Sequence, residues 1–441
     1  TADNVRWQIA GVNTGSGTFS LIVRQGNDTS NSPSILETFN DLSLDPFQPN
    51  YIERVIGNTT HEIAQDGADY YVKSTGDYVN RSKYISVKSV LTPTPNFFNN
   101  AGGVNSGSAG TLYSKFIPVA SSGSFTGATG ANIQASMSPA KFNSNIIDTN
   151  IQGLTATDYS ASISLLNNKD DYNFNVVVAP GLIGDSSFTN SLVQVNSLVA
   201  LAENRQDCIT VVDPSAYGKT VSQTVASATA FDSSYAAAYW PWLQAIDPTS
   251  GMTTWSPASA FIPGVYSFTD ASSEPWFAPA GLVRGALGNV IRAEQRLTSG
   301  QRDTLYSGNV NPIATFPASG VVVFGQKTLQ RRASALDRVN VRRLLIAVKS
   351  FIVQVSDNLV FEQNTISTRN NFLTQVNPYL ESVQQRQGLY AFKVVMNETN
   401  NTPDVIDRNE LVGAIYLQPT KTAEFIILDF NVLPTGVDFP A

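Results

Sequence analysis

A single cysteine, Cys208, and a single histidine, His61, stand in a chain of 441 residues. One cysteine rules out an intramolecular disulfide and any zinc site built on cysteine pairs, and it suits assembly in a reducing compartment. One histidine removes histidine-rich metal sites and leaves any triad or general-base scheme hanging on one residue. Charge is scarce as well: charged residues make up 14%, with 28 Lys and Arg against 35 Asp and Glu and a formal net charge of -7. That balance supplies no global electrostatic reason to bind nucleic acid. No stretch approaches the ~18 uncharged apolar residues of a membrane helix, so membrane insertion is not expected. The opening Thr1 to Arg6 has neither an initiator Met nor the basic and apolar regions of a signal peptide, and it reads as an internal start with something lost upstream.

What the chain does hold is apolar and aromatic mass, 42% and 10% of its residues, enough to fold despite the low charge. At ~150 residues per domain the length predicts about three domains. The pattern suggests a multidomain α+β or mixed α/β protein in three segments: a β-rich region over 1–160, an α/β domain over 161–320, and an α+β domain over 321–441.

From Trp7 to about Lys88 apolar and polar residues alternate, as in Thr18-Phe19-Ser20-Leu21-Ile22-Val23 and Tyr84-Ile85-Ser86-Val87, which predicts strands. Between Ser89 and Ala140 the one charged residue is Lys115, and Gly, Ser, Asn and Thr crowd the segment, which predicts loops. Asn175 to Gly181 reads as a buried strand stopped by Pro180-Gly181. Leu192, Val195, Leu198, Val199 and Ala202 keep helical spacing, and Cys208 to Pro214 is a second buried strand, so the unit is βαβ with a parallel pair. Tyr239-Trp240-Pro241-Trp242 and Glu274 to Gly281 look like rigid extended segments laid on a core. Further on, the pattern predicts a strand at Val321–Gly325, a long amphipathic helix over 334–358, a helix over 370–385, and strands at 390–396, 413–418 and 423–432. Thr402 and Pro403 have the N-cap and first-turn chemistry of a helix start.

Candidate chemistry is thin. Gly218-Lys219-Thr220 follows an apolar strand as a phosphate loop would, but Asp213 stands where that loop needs its first glycine, and a carboxylate there would face phosphate oxygens; a simple turn is the better reading. His61-Glu62 lacks the second histidine of a zinc-protease helix and reads as surface. Cys208 lies in an apolar run, where a thiol is buried and protonated. Asn58, Asn80 and Asn397 head glycosylation triplets, which this composition produces by chance. An enzyme built on Cys208 or Lys219 is therefore the weaker class, and a structural or interaction role is expected, with no catalytic residue, metal or cofactor.

One stretch stands apart. From Gly325 to Lys349 seven basic residues face Asp337 alone, a local charge of +6 that leaves -13 on the rest of the chain. On a helix, Arg338, Arg342 and Lys349 share a face. That face is either solvated or complementary to an acidic partner.

Several segments, taken in order, resemble one family: Ala202-Glu203-Asn204-Arg205-Gln206-Asp207-Cys208, Trp276-Phe277-Ala278-Pro279-Ala280-Gly281, Asp337-Arg338-Val339-Asn340-Val341-Arg342-Arg343-Leu344, Glu398-Thr399-Asn400-Asn401-Thr402-Pro403 and Ile406-Asp407-Arg408-Asn409-Glu410. They are similar to the tail sheath proteins of contractile-tailed bacteriophages, from roughly Asn175 to Phe439 and most strongly after Val321. The resemblance implies a subunit that polymerises helically around a tail tube and switches from a metastable extended lattice to a contracted one, driving the tube through the host envelope without consuming nucleotide. A static baseplate or capsid component is the alternative. The implied partners are further copies of the chain, the tube protein, and baseplate and tail terminator proteins, in the virion and, during assembly, the host cytoplasm. Carried onto this chain, the tube-facing residues are Arg338, Arg342, Arg343 and Lys349. An arm that adds a strand to a neighbour's sheet falls on Leu433, Pro434, Thr435, Gly436, Val437, Asp438 and Phe439. The region before about Thr157 is expected to face outward.

Overall fold

A computed structural model of the chain describes residues 5–26, 28–107, 110–124, 146–147, 150–151, 154–246, 251, 253–422 and 424. Two compact units divide at Asn168 and Lys169. The first runs β1 (Val5–Asn13), β2 (Thr18–Gln25), β3 (Ile35–Ser43), α1 (Ile52–Ile56), β4 (Thr60–Asp66), β5 (Asp69–Thr75), β6 (Ser121–Ser124), the short pair β7 (Ile146–Ile147) and β8 (Asn150–Ile151), and α2 (Tyr159–Leu165). Its main sheet is antiparallel in the order β3-β2-β1-β6. The alternation in β2 acts as expected: Phe19 and Val23 are buried, and Phe19 joins Leu42, Ile56, Phe97 and Ile117 in the unit's core. The β1–β2 turn is held by the Asn13 side chain, which accepts from the amides of Gly15 and Ser16 at 3.0 and 3.1 Å. Gly17 ends it at φ 73, where a Cβ would lie 2.7 Å from the Phe97 ring.

Tyr84 to Val87, expected as a strand, is not one. It is an irregular connection whose Val87 amide donates to the Gly57 carbonyl at 2.8 Å. Alternation marks which side chains turn inward, and an isolated segment can do so without a neighbouring strand to complete a ladder. The loop expectation holds for the described residues of 89–120 apart from one short 3-10 turn at Tyr113–Lys115, but Ser121–Ser124 forms strand β6, because its backbone pairs with β1; residues 125–140 lie outside the described residues.

The second unit opens with β9 (Val176–Ile183), α3 (Thr189–Arg205), β10 (Ile209–Asp213), α4 (Val221–Ala228) and β11 (Ala236–Trp240). Next come β12 (Leu243–Ile246), β13 (Thr253–Ser256), α5 (Ile262–Ser272), β14 (Val290–Ala293), α6 (Ser299–Ser307), β15 (Val310–Phe316) and β16 (Gly320–Val323). It closes with α7 (Val339–Asp357), α8 (Ile366–Gln385), β17 (Leu389–Val395), α9 (Pro403–Asp407) and β18 (Ala414–Pro419). The central sheet has the order β16-β15-β11-β10-β9, with β9, β10, β11 and β15 parallel and β16 antiparallel at the edge. The predicted βαβ unit is present as β9-α3-β10. Pro180-Gly181 does not stop the strand: β9 advances from Val178 to Ile183 while β10 advances from Val211 to Asp213, and Gly181 takes φ 104. The pair makes an irregularity inside a strand that continues, as glycine in a strand often does.

Tyr239 and Trp240 belong to β11 and are fully buried, as is Trp242 after it. The sheet's inner residues, Ile209, Val211, Tyr239, Ile313 and Val323 among them, form one core with Ile262 and Tyr266 of α5. A second core joins Leu344, Val348 and Val355 of α7 to Phe372, Val376, Leu380 and Val383 of α8 and to Trp276. Helix α7 serves both cores, because Val339 and Ile346 pack on the sheet side. At ~100° per residue these two lie roughly opposite Leu344 and Val348.

Candidate functional site

The helix expected from Ser334 begins at Val339. Ser334 instead caps a single 3-10 turn, Ala335–Asp337, and Arg338 is extended at φ -118 and ψ 135. Two contacts hold it so: Arg338 bridges to Lys327, and the Val339 amide donates to the Gln326 carbonyl at 2.8 Å. Helix α8 likewise begins before Asn370, because the Thr365 side chain caps it by accepting from the Thr368 amide.

The basic residues of this stretch have partners inside the chain. Arg338 grips Glu424 with both arms of its guanidinium, Nε to Oε1 at 2.7 Å and Nη2 to Oε2 at 2.9 Å. Glu424 also accepts from the Tyr306 hydroxyl at 2.7 Å and from Gln326 Nε2 at 3.1 Å. Burial, reinforced by the Glu424 carboxylate, holds the Tyr306 hydroxyl well above its usual range, so it stays a donor. Lys327 lies over the Tyr306 ring at 4.4 Å, and burial with the nearby Arg338 charge lowers its pKa.

Arg342 and Arg343 are each 5% exposed. Arg342 donates to the carbonyl of Ser234 at 3.2 Å and to its hydroxyl, and lies 3.8 Å from the centre of the Tyr235 ring. No carboxylate among the described residues pairs with it, and burial lowers its pKa. Arg343 Nη2 meets both Asp270 oxygens at 2.8 and 2.6 Å, and its guanidinium covers the Tyr266 ring at 4.6 Å. Lys349 alone of the four is exposed; its ammonium donates to Gln206 Oε1 at 2.8 Å beside a groove of about 800 Å³.

The basic residues at the start of the helix are therefore enclosed rather than solvated. The reason is the double packing of α7: with the sheet on one side and α8 on the other, residues between the two apolar stripes are enclosed as well. Exposed charge collects instead at Arg331, Arg332 and Lys421, outside the helix. Periodicity could not mark Glu424 as the partner of Arg338, because 86 residues separate the two. The expected arm, Leu433 to Phe439, and most of the strand expected over 423–432 lie outside the described residues.

The weaker chemical candidates are all occupied. Lys219 pairs with Asp185 at 3.2 Å, and the Gly218 amide donates to Glu294 at 2.6 Å. Thr220 is the N-cap of α4 in a reciprocal capping box with Gln223. Asp213 accepts from the Ser259 amide and hydroxyl, and complete burial pushes its carboxyl up to about 7 against those bonds. Cys208 is fully buried, and burial raises its thiol to about 12. His61 is exposed on β4 and meets the Ser74 hydroxyl at 2.8 Å.

Two family models cover this unit and little else. The phage tail sheath protein central domain matches residues 152–329, and the phage tail sheath C-terminal domain matches residues 332–433. Together they span more than half of the chain. The chain belongs to the phage tail sheath family. It is 32% identical over 313 residues to the tail sheath protein of Vibrio phage KVP40, covering 64% of this chain and 46% of that protein. It is 33% identical over 303 residues to the tail sheath protein of Enterobacteria phage T4, covering 65% and 46%. The chain thus spans about half the length of the curated relatives it matches. Among solved structures it is similar to the PVC sheath complex of an extracellular contractile injection system in the contracted state, with a TM-score of 0.52 and 25% identity over 63% of this chain and 75% of that one. Both sheath-domain matches lie beyond residue 151, so they concern the second unit and the chain just before it.

Proposed function

We propose that the protein is a subunit of a contractile phage tail sheath, which polymerises helically around the tail tube and stores, in a metastable extended lattice, the energy that drives the tube through the host envelope. The observation that carries this reading is the consecutive pair of sheath-domain matches, over 152–329 and 332–433, on a fold similar to a sheath solved in the contracted state. Such work requires two packings separated by a barrier and consumes no nucleotide. Its partners are further copies of the chain, the tube protein, and baseplate and terminator proteins, and its place is the virion after assembly in the host cytoplasm.

The two-stranded sheet β17–β18 supports linkage by strand addition, since among the described residues each strand has one neighbour. The segment from Leu433 to Phe439 is our candidate for the added strand. For the tube-facing surface, the burial of Arg342 and Arg343 favours Lys349 as the contact residue, with the two arginines holding the helix that presents it. Arg338, committed to Glu424, is a contact only if that clamp opens.

Negative-stain electron microscopy of the protein expressed without other phage components tests the reading. Hollow, striated tubes are the expected result. Protein that stays monodisperse at high concentration even after purified tail tubes are added would overturn it.

A further inference from the structure

The connection between α7 and α8 packs Leu359 inward and turns two apolar side chains outward. Phe361 is fully exposed, at 103%, Val360 beside it is exposed, and the Phe361 backbone stands at φ 70. An aromatic residue there carries left-handed backbone strain and leaves its ring in water. The loop is nevertheless firmly built. Leu359 donates to the Ser356 carbonyl at 2.9 Å, Glu362 to that of Leu359 at 3.1 Å, and the Asn364 side chain to that of Glu410 at 2.8 Å. The helices on either side are locked by the stacked Phe351 and Tyr379 rings, 3.8 Å apart. A backbone held in this way has already met part of the ordering cost of binding. The charged residues from Ser350 to Thr368 are Asp357 and Glu362, both exposed, so the tip is apolar at its centre and acidic at its edge.

The same unit carries a surface of the opposite kind. The chain from Gly281 runs beside β16, with the Gly281 amide on the Val323 carbonyl at 2.9 Å and the Leu287 amide on that of Val321 at 3.0 Å. It exposes Leu282, Val283 at 79%, and Ile291 on β14. Arg292 and Arg296 are exposed in the same stretch, Arg292 donating only its Nε to Gln244 at 2.7 Å, whereas Arg284 is half-buried and donates to the Ala278 carbonyl beside the Phe277 ring; the one acid, Glu294, is engaged by the Gly218 amide.

We propose that the Phe361 tip of one copy docks on the Leu282–Val283–Ile291 patch of a second copy, with Asp357 and Glu362 set against Arg292 and Arg296. The charges select that patch, since an acidic-rimmed apolar tip fits an arginine-rimmed apolar surface. The two surfaces differ, so the contact is heterologous: each copy offers a tip to one neighbour and a patch to another, which propagates rather than closing a pair. The inference rests on the helical sheath reading and supplies one of its lattice contacts.

Two single-cysteine additions test it, because the native Cys208 is buried and its thiol is held protonated. Protein carrying Gln363→Cys, which leaves the Phe361 ring in place, is mixed at high concentration with protein carrying Asn289→Cys, beside the patch, and treated with a short bis-maleimide, and the same samples are viewed by electron microscopy. A heterodimer band that either variant alone fails to give is the expected result. Cross-linking with no helical sheath even after purified tail tubes are added keeps the inference and removes the sheath reading, whereas tubes without cross-linking do the reverse. Absence of both overturns both. In parallel, Phe361→Asn places a residue tolerant of positive φ at the tip, so the melting temperature should hold or rise while the concentration needed for assembly rises at least about tenfold. Assembly at the wild-type concentration would overturn the inference, as would a Gln363→Cys cross-link that forms to added tube subunits instead.

Discussion

Arg342 is a buried cation held by a carbonyl, a hydroxyl and an aromatic face rather than by an acid. Reversing it would press a carboxylate against the Ser234 carbonyl in the same enclosure. We expect Arg342→Glu to destabilise the fold by about 3 kcal/mol or more, read as a lower midpoint in urea. Lys349→Glu should stay within about 0.5 kcal/mol of the parent and lose sheath formation on tubes instead. Asp213 offers a different test. Its folded carboxyl, raised by burial to about 7, lies above the ordinary 3.8, so the folded state holds a proton that the unfolded chain releases. That contribution to stability is complete below the unfolded value and is lost as the pH rises through the folded one. Asp213→Asn should flatten the decline in stability between about pH 4 and 7, where one proton accounts for at most about 1.4 kcal/mol per pH unit. An unchanged slope in pH-dependent urea melts would place the titration elsewhere.

At the scale of elements, α7 is where sequence and structure diverge most. A single apolar stripe predicts one buried face and one wet one. Here Val341, Leu344, Val348 and Val355 are buried as that stripe predicts, yet Val339 and Ile346 bury the other side at the helix start. The start itself depends on Glu424, which clamps Arg338 from beyond β18. Glu424→Ala should cost about 1–3 kcal/mol, since it strips four hydrogen bonds from partly buried donors. The exchanged pair Arg338→Glu with Glu424→Arg should recover part of the loss in a double-mutant cycle. In the first unit, Gly17→Ala meets both a positive φ and the Phe97 ring, and calorimetry should find it destabilised by more than the ~1–2 kcal/mol of the backbone term alone.

At the scale of the whole molecule, the proposed work is collective, and single contacts matter through their number. If exposed charges such as Lys349, Arg331 and Arg332 hold the sheath on its tube, salt should loosen it, because the screening length falls from about 10 Å at 0.1 M to about 3 Å at 1 M. Sedimentation of sheathed tubes across that range should show progressive loss of sheath. The apolar docking at Phe361 should persist, leaving sheath polymer separated from bare tube. Sheath and tube released together only as single subunits would count against this division of labour.

Much of this was legible in the amino-acid sequence. Local periodicity located α3, β9, β10, α7 and α8 within a few residues, because helix and strand each impose a spacing on the side chains they bury. The ordered segments from Ala202 to Glu410 carry the resemblance to the sheath family on their own. The fate of the charges was decided only by tertiary structure. Which arginine meets water depends on what covers it, and the covers here, Ser234, Asp270 and Glu424, come from segments between 73 and 108 residues away. A charge run in a sequence records how many cations a segment carries, while their exposure is settled by long-range packing that local spacing does not encode.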